Sequence, residues 1–232
     1  MLDSPSAQTR SSGINEQTSA DGQAVYSRTV LAIYDWWVLG VSNHYIWKCP
    51  THILREEFKK FASANHLDIG VGTGYYLQRC LLPTQHRLAL MDLNENSLRV
   101  ASARSGLRNV ELYQRNVLVP FDLNCPHFDS ISMNYLLHCI PGSMAEKLVV
   151  MRHAADYLQP GGVLYGSTIL SQGVRSATRA KKLMNFYNKK GIFHNAGDNK
   201  DALENGLREI FDDVECRVEG CVAIFSARKP AQ

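Results

Sequence analysis

From residue 66 onward the chain alternates short apolar runs with stretches whose apolar positions recur three and four residues apart. Such alternation marks parallel strands joined by crossover helices. The runs predict strands over 66–69, 87–92, 110–114, 128–133 and 162–169, with helices between them. The C-terminal end reads differently, because strands over 213–218 and 222–227 are separated only by Glu219, Gly220 and Cys221. So short a link closes a hairpin and cannot form a parallel crossover, which predicts an antiparallel strand at the end of the sheet.

Ahead of the sheet, Val25, Val30, Ile33, Tyr34, Trp37 and Val38 recur at helical spacing over 23–40, where Gly40 suits a helix end. A second helical stripe covers 53–61, after Pro50 and Thr51. Residues 1–22, rich in Ser, Thr, Gln and Ala, offer too little apolar surface to offset the entropy of ordering and are expected to be a disordered tail. The expected organisation is one domain over 23–232, with a helical cap at 23–62 preceding the sheet.

Composition narrows the class without changing this picture. A length of 232 residues, 45% hydrophobic and 20% charged, fits one globular α/β domain. The net charge is +3, and much of the basic excess falls within 175–190, which reads as a solvated helix face rather than a nucleic-acid surface. The chain lacks the basic-then-apolar start of a signal peptide and any apolar run of about 20 residues, so a cytoplasmic protein without membrane contact is expected. The six cysteines show no Cys-x-x-Cys spacing, which favours reduced core thiols over zinc ligands.

The chemistry concentrates in Leu67-Asp68-Ile69-Gly70-Val71-Gly72-Thr73-Gly74-Tyr75, where a buried strand breaks into three alternating glycines and then a helix. Glycines there permit a tight turn and close approach of a ligand to the backbone, beside the free N–H groups of the helix start. The Gly-x-Gly-x-Gly spacing is not the Gly-x-Gly-x-x-Gly of nicotinamide enzymes, and no Gly-Lys-Ser/Thr follows to make a nucleoside-triphosphate loop. Asp68, a carboxylate beside the turn, would repel a pyrophosphate but suits a cationic amino group. Asp92 ends the second strand, 18 positions after Gly74, where a carboxylate can accept both hydroxyls of a ribose. An ammonium group and a free ribose diol together describe S-adenosylmethionine.

With these residues in view, the chain resembles the class I S-adenosylmethionine-dependent methyltransferases over 26–229, through HLDIGVGTGYY, MDLNENSL, RNVLVPFD, FDSISMNYLLHCI and LQPGGVLYGST. Among these it is most similar to small methyltransferases of microbial natural-product pathways. The resemblance implies a three-layer, Rossmann-like sheet of seven strands, mostly parallel with the last antiparallel, preceded by extra N-terminal helices. It also implies a cofactor-binding core at 66–170 and a substrate lid at 171–200. Asp68, Gly70, Gly72 and Gly74 would surround the methionine moiety, Asp92 would hold the ribose and Leu93 would pack on the adenine. Asn116 and Val117 fall at the adenine amino group, where Asn116 departs from the usual acid but can still hydrogen-bond. Asn134 and Tyr135 fall beside the sulfonium, and S-adenosylhomocysteine would be the product.

Methyl transfer asks mainly for in-line alignment, so catalytic side chains are few; His138, in LLHCIPG just after the fourth strand, is the candidate base. The substrate is expected to meet Tyr34, Trp37, His44 and Trp47, from an aromatic-rich segment, and Tyr187 from the lid. The leading expectation is methyl transfer to oxygen, nitrogen or carbon of a small organic acceptor in secondary metabolism, with no metal and no nucleic-acid partner. Two alternatives stay open at this point: a cyclase using the sulfonium only as fixed positive charge, and a non-catalytic regulator on the same fold. A homodimer is also left open.

Overall fold

The computed structural model describes residues 35–81 and 86–231, with side chains from residue 41 onward. The expected tail at 1–22 and Tyr34 lie outside the described residues. Seven strands form one sheet in the order β3-β2-β1-β4-β5-β7-β6. They are β1 (Asn65–Ile69), β2 (Arg87–Asp92), β3 (Val110–Gln114), β4 (Phe128–Asn134), β5 (Leu158–Ile169), β6 (Asp212–Glu219) and β7 (Val222–Arg228). The first five run parallel; β7 lies antiparallel to both β5 and β6, as the two-residue link Gly220-Cys221 requires.

Helices cover both faces, which is why the central strands are apolar on both sides. On one face lie α1 (Thr51–Phe61), α2 (Tyr75–Cys80), α3 (Glu95–Ser105) and α5 (Thr178–Lys189), burying Leu54, Phe58, Leu77, Leu98 and Met184. On the other lie α4 (Met144–Asp156) and α6 (Lys200–Arg208), burying Leu148, Met151, Leu203 and Leu207. Local signals set the helix starts. Ser143 and Glu146 form a reciprocal capping box on α4, Asn94 accepts from Asn96 N and Ser97 N on α3, and Asn199 accepts from Ala202 N on α6.

Two boundaries differ from expectation by more than two residues. The leading helix does not end at Gly40; it runs over Asp35–Ile46 in the wider π form. The N–H of Trp47 bonds to Ser42 O at 2.8 Å, five residues back, and the turn out of the helix is made at Lys48 with φ 57°. Strand β5 begins at Leu158, not at residue 162, although Pro160-Gly161-Gly162 reads as a turn. The segment stays in the sheet through a register shift against β4 and a 3.1 Å bond from Gly161 N to Lys229 O.

A buried ion pair ties the segment 171–200 to α4. Lys147, on the buried side of α4, donates to Asp198 Oδ2 at 2.7 Å and to His194 O at 2.8 Å, and both ionic side chains are shut off from solvent. Removing one partner strands a charge in the core, so Lys147→Met should lower unfolding free energy by about 3–5 kcal/mol in urea titration. Pairing it with Asp198→Leu, which removes both charges, should recover most of that loss.

Candidate functional site

The strand order turns back on itself between β1 and β4, with β2 and β3 on one side and β5 on the other. At such a reversal the loops leave β1 and β4 toward opposite faces, and a crevice opens at their C-terminal ends. The glycine turn after β1 and the residues Asn134 and Tyr135 after β4 meet at this crevice.

Gly70, Gly72 and Gly74 have φ of 72°, 52° and 73°, so all three stand in the left-handed region that side chains disfavour. Gly74 also permits contact between two helices: a Cβ there would lie 2.6 Å from the Cα of Ala101 on α3. At Gly72 the reverse holds, since a Cβ would meet nothing within 4 Å. The backbone is therefore bare on the side where a ligand would approach.

Asp68 is buried, 5% exposed, on the face of β1 that packs under α1 and α2, and accepts from the Ser132 hydroxyl on β4. Burial pushes its carboxyl up to about 7, against the Ser132 hydrogen bond, and the charge of Asp92 pushes the same way. Asp92, half-buried at the end of β2, accepts from Asn94 N at 2.9 Å and from Gly72 N at 3.4 Å. Those bonds hold its carboxylate still while leaving lone pairs on both oxygens. Burial raises the Asp92 pKa also, opposed by these N–H donors. Asn134 uses Oδ1 to accept from Ser167 Oγ at 3.0 Å, whereas its Nδ2 is sealed from solvent without a hydrogen-bond partner. Taken together, the donor set fits S-adenosylmethionine: two acids for its ammonium and ribose diol, bare backbone at Gly72, and an unsatisfied donor at Asn134.

The remaining cofactor positions are less uniform. Leu93 is half-buried at the tip of β2, and its carbonyl accepts from Gln114 Nε2 at 3.1 Å. Asn116 is exposed and folds its Oδ1 back on Leu118 N at 3.0 Å, the turn-making habit of asparagine, which leaves one lone pair and the amide donor for adenine. Val117 packs against the core, and its carbonyl contacts His153 Nδ1 at 3.1 Å. Tyr135 has φ 57°, a left-handed backbone that a bulky residue adopts only under constraint. Its N–H bonds to Ser167 O at 2.8 Å and its hydroxyl donates to Asn43 Oδ1 at 2.9 Å on the leading helix.

Beyond Tyr135 the aromatic residues converge on Phe193, which the sequence placed in the lid but not in the site. Its ring centroid lies 4.5 Å from His138, 4.8 Å from Tyr187 and 6.1 Å from Trp47. Tyr135 completes the group, 5.6 Å from His138. Trp47 is 1% exposed and belongs to the core, while Tyr187 is half-buried. His44 is not brought into this cluster; it stands exposed with its ring against Tyr45. Trp37 lies within the leading helix, its side chain outside the described residues.

His138 is 2% exposed, and burial, aided by the charge of Lys147, holds its imidazole down to about 3. Its Nδ1 accepts from Ile169 N at 3.4 Å, which assigns the single proton to Nε2. The sequence also gave no sign of Ser132 and Asn43, the residues that bond Asp68 and Tyr135, because those contacts span 64 and 92 positions.

The raised Asp68 pKa fixes a sign. In the ligand-free protein the folded state holds this proton more tightly than the unfolded chain, so stability falls as pH rises from about 4 through 7. Asp68→Asn removes that cost and can keep the Ser132 hydrogen bond. Thermal unfolding should show a gain of at least about 3 °C at pH 8, where one pK unit is about 1.4 kcal/mol, and almost none at pH 4.

Comparison with known proteins agrees with this geometry. A family model described as a methyltransferase domain matches residues 43–207. The demethylluteothin O-methyltransferase of Streptomyces thioluteus is 40% identical over 213 residues, covering 91% of this chain and 93% of that one. The N-methyltransferase vrtF of Penicillium aethiopicum is 40% identical over 186 residues, 79% of this chain and 78% of its own. Among solved structures, the N-methyltransferase NodS of Bradyrhizobium japonicum WM9 in complex with S-adenosyl-l-homocysteine shares the fold, with a TM-score of 0.62 at 19% identity, over 93% of this chain and 100% of that chain. The methyltransferase-domain match over residues 43–207, relatives alike over most of their length and seven strands in this order place the chain in the methyltransferase domain family, as a class I S-adenosylmethionine-dependent enzyme similar to small microbial natural-product O- and N-methyltransferases.

Proposed function

We propose that this enzyme methylates a hydroxyl oxygen on a small, flat, largely apolar compound of secondary metabolism. The observation that carries the reading is the convergence of Trp47, His138 and Tyr187 on Phe193, with Tyr135 against His138, on the side of the β4 tip. Tyr135 at the β4 tip and Tyr187 on α5 stay half-buried over the packed rings of Trp47, His138 and Phe193, an aromatic surface with few charges that suits a ring-bearing acceptor. The name of the Streptomyces relative supports oxygen as the acceptor atom, while that of the Penicillium relative supports nitrogen as the competitor. A small molecule rather than a nucleic acid fits the basic stretch of the lid, since Lys181, Lys182, Lys189 and Lys190 stand exposed on a solvated helix face. No helix among the described residues is long and apolar enough to cross a membrane.

When bound, S-adenosylmethionine supplies a methyl group already activated by its sulfonium. In this reading Asp68 faces the ammonium group, Asp92 the ribose hydroxyls and Asn134 Nδ2 an acceptor on the methionine end. Gly70, Gly72 and Gly74 let that end lie against the backbone, and Leu93, Asn116 and Val117 flank the adenine. Tyr135, fixed by Asn43 and Ser167, sets the wall between cofactor and acceptor. His138 then acts as an orienting group with its proton on Nε2, in place of the base expected from sequence, because a group held near 3 is a weak proton acceptor at neutral pH. Tyr187 and Trp47 shape the acceptor side, Trp47 through packing.

Purified protein should form S-adenosylhomocysteine and a heavier methylated product from phenolic or pyrone hydroxyl compounds in preference to their amino analogues, followed by mass spectrometry; turnover of amines alone would overturn the choice of oxygen. Asp92→Ala should weaken cofactor binding in calorimetric titration by roughly 1.5–3 kcal/mol, the worth of hydrogen bonds to a charged group. His138→Gln should lower kcat by less than about tenfold without altering the pH profile, whereas a true base would cost about 100-fold or more and remove a limb of that profile.

A further inference from the structure

A row of polar side chains crosses the apolar layer beneath α1 and α2, where packing alone gives no reason for it. Residues His66 and Asp68 on β1 lie opposite Ser130 and Ser132 on β4 in the parallel register, so all four point to one face. His66, Ser130 and Ser132 are 0% exposed. Contacts run without a break: Asp68 Oδ1 to Ser132 Oγ, Ser132 Oγ to His66 Nε2 at 3.1 Å, His66 Nδ1 to Ser130 Oγ at 2.8 Å, and Ser130 Oγ to Ser63 Oγ at 2.7 Å. Ser63 is half-buried at the opposite end of β1 from the cofactor crevice, and its hydroxyl also reaches Asn65 O at 2.8 Å.

Proton counting allows this row two self-consistent states. Each hydroxyl has one proton and a neutral imidazole has one. When Asp68 is ionised, Ser132 donates to it, His66 donates from Nε2 to Ser132, and Ser130 donates to His66 Nδ1. When Asp68 carries a proton, it donates to Ser132, Ser132 donates to His66 Nε2, His66 donates from Nδ1 to Ser130, and Ser130 donates to Ser63. Passing one proton from link to link converts the second state into the first: Asp68 loses its proton, each serine hydroxyl and the imidazole as a whole gain one proton and lose one, and half-buried Ser63 takes the Ser130 proton while giving its own to solvent, so only Asp68 changes in charge.

We propose that Ser132, His66 and Ser130 are positioning residues that couple the charge of Asp68 to the tautomer of His66, so that binding of a cofactor ammonium group inverts the row and delivers the Asp68 proton to the Ser63 end. The inference rests on Asp68 facing the cofactor ammonium, as read above.

The surroundings favour a relay over independent titration. The imidazole is held down to about 3 by burial, so it responds by changing tautomer and not by becoming charged. It is flanked by the rings of Phe58 from α1 and Tyr165 from β5. Asp68 is faced by Asp92 from β2, Tyr76 from α2 and Tyr165, with Cys49 and Cys80 behind them and Arg55 of α1 turned to Cys80. Burial raises both phenols and both thiols away from neutrality, raises Asp92, and brings Asp68 to about 7.

The test uses the full chain labelled with 15N at histidine and reads the Nδ1 and Nε2 resonances of His66, assigned by their loss in His66→Gln, or by their shift in Ser132→Ala should that variant not fold. S-adenosylhomocysteine, which carries the same ammonium group, is the probe, and calorimetry on the same samples records its binding. At pH 6 without ligand the proton is expected on Nδ1; saturating ligand, or a rise to pH 8, should move it to Nε2. In Ser132→Ala the ligand should still bind but leave the tautomer unchanged. Binding without a tautomer change in the wild type would overturn the relay. Inversion with pH in a protein that shows no binding would keep the relay and overturn the assignment of Asp68 to the cofactor.

Discussion

Where the winding of a parallel sheet reverses, two neighbouring strand ends send their loops to opposite faces, and the space between them cannot be filled by either. The rest of this site depends on that constraint at β1 and β4. It brings the glycine turn, Asp68, Asn134 and Tyr135 to one crevice, although they are far apart in the chain. It also sets β1 against β4 in a register that stacks His66 and Asp68 over Ser130 and Ser132. A slip of one residue would turn these side chains to the other face and place apolar neighbours at the crevice floor.

Much of this was legible in the sequence because it is written locally. Strands β2 and β3 fall at the residues their apolar runs mark, and the short link before residue 222 is enough to make β7 antiparallel. The glycine turn and the two acids at strand tips are likewise short-range signals. What stayed hidden depends on pairs distant in the chain. Lys147 reads as a surface residue of an amphipathic helix until Asp198, 51 positions later, is folded against it. His66 reads as the first residue of a strand, and only the β4 register gives it two hydroxyl partners. Trp47 and His44, three residues apart, cannot be told apart as pocket aromatics by composition; the π-wound helix and the turn at Lys48 bury one and expose the other.

The crevice is also where the fold tolerates its least favourable local states. Asp68 is a carboxylate in an apolar layer, Tyr135 holds a left-handed backbone, and Asn134 has a buried amide donor unmatched. In the proposed function Asp68 and Asn134 meet groups of the cofactor, while Tyr135 is fixed by Ser167 and Asn43. Elsewhere the described core is two apolar layers with the buried Lys147–Asp198 pair beneath α4, and α3, α4 and α6 carry side-chain caps. Local disfavour gathered in one place is what a site shaped for a charged ligand requires.

The buried pair of Lys147 and Asp198 bears on traffic through the enzyme. A loop fastened by an ion pair worth several kcal/mol to break cannot swing aside on each turnover without exposing two unmatched charges. The opposite wall meets the β4 tip through the hydrogen bond of Tyr135 to Asn43, a contact between neutral groups worth about 1 kcal/mol. On the function proposed above, the leading helix is thus the more lightly held wall, and the bond that holds it lies on the strained Tyr135. On that reading one phenol links the entry of the acceptor to the shape of the chamber that receives it.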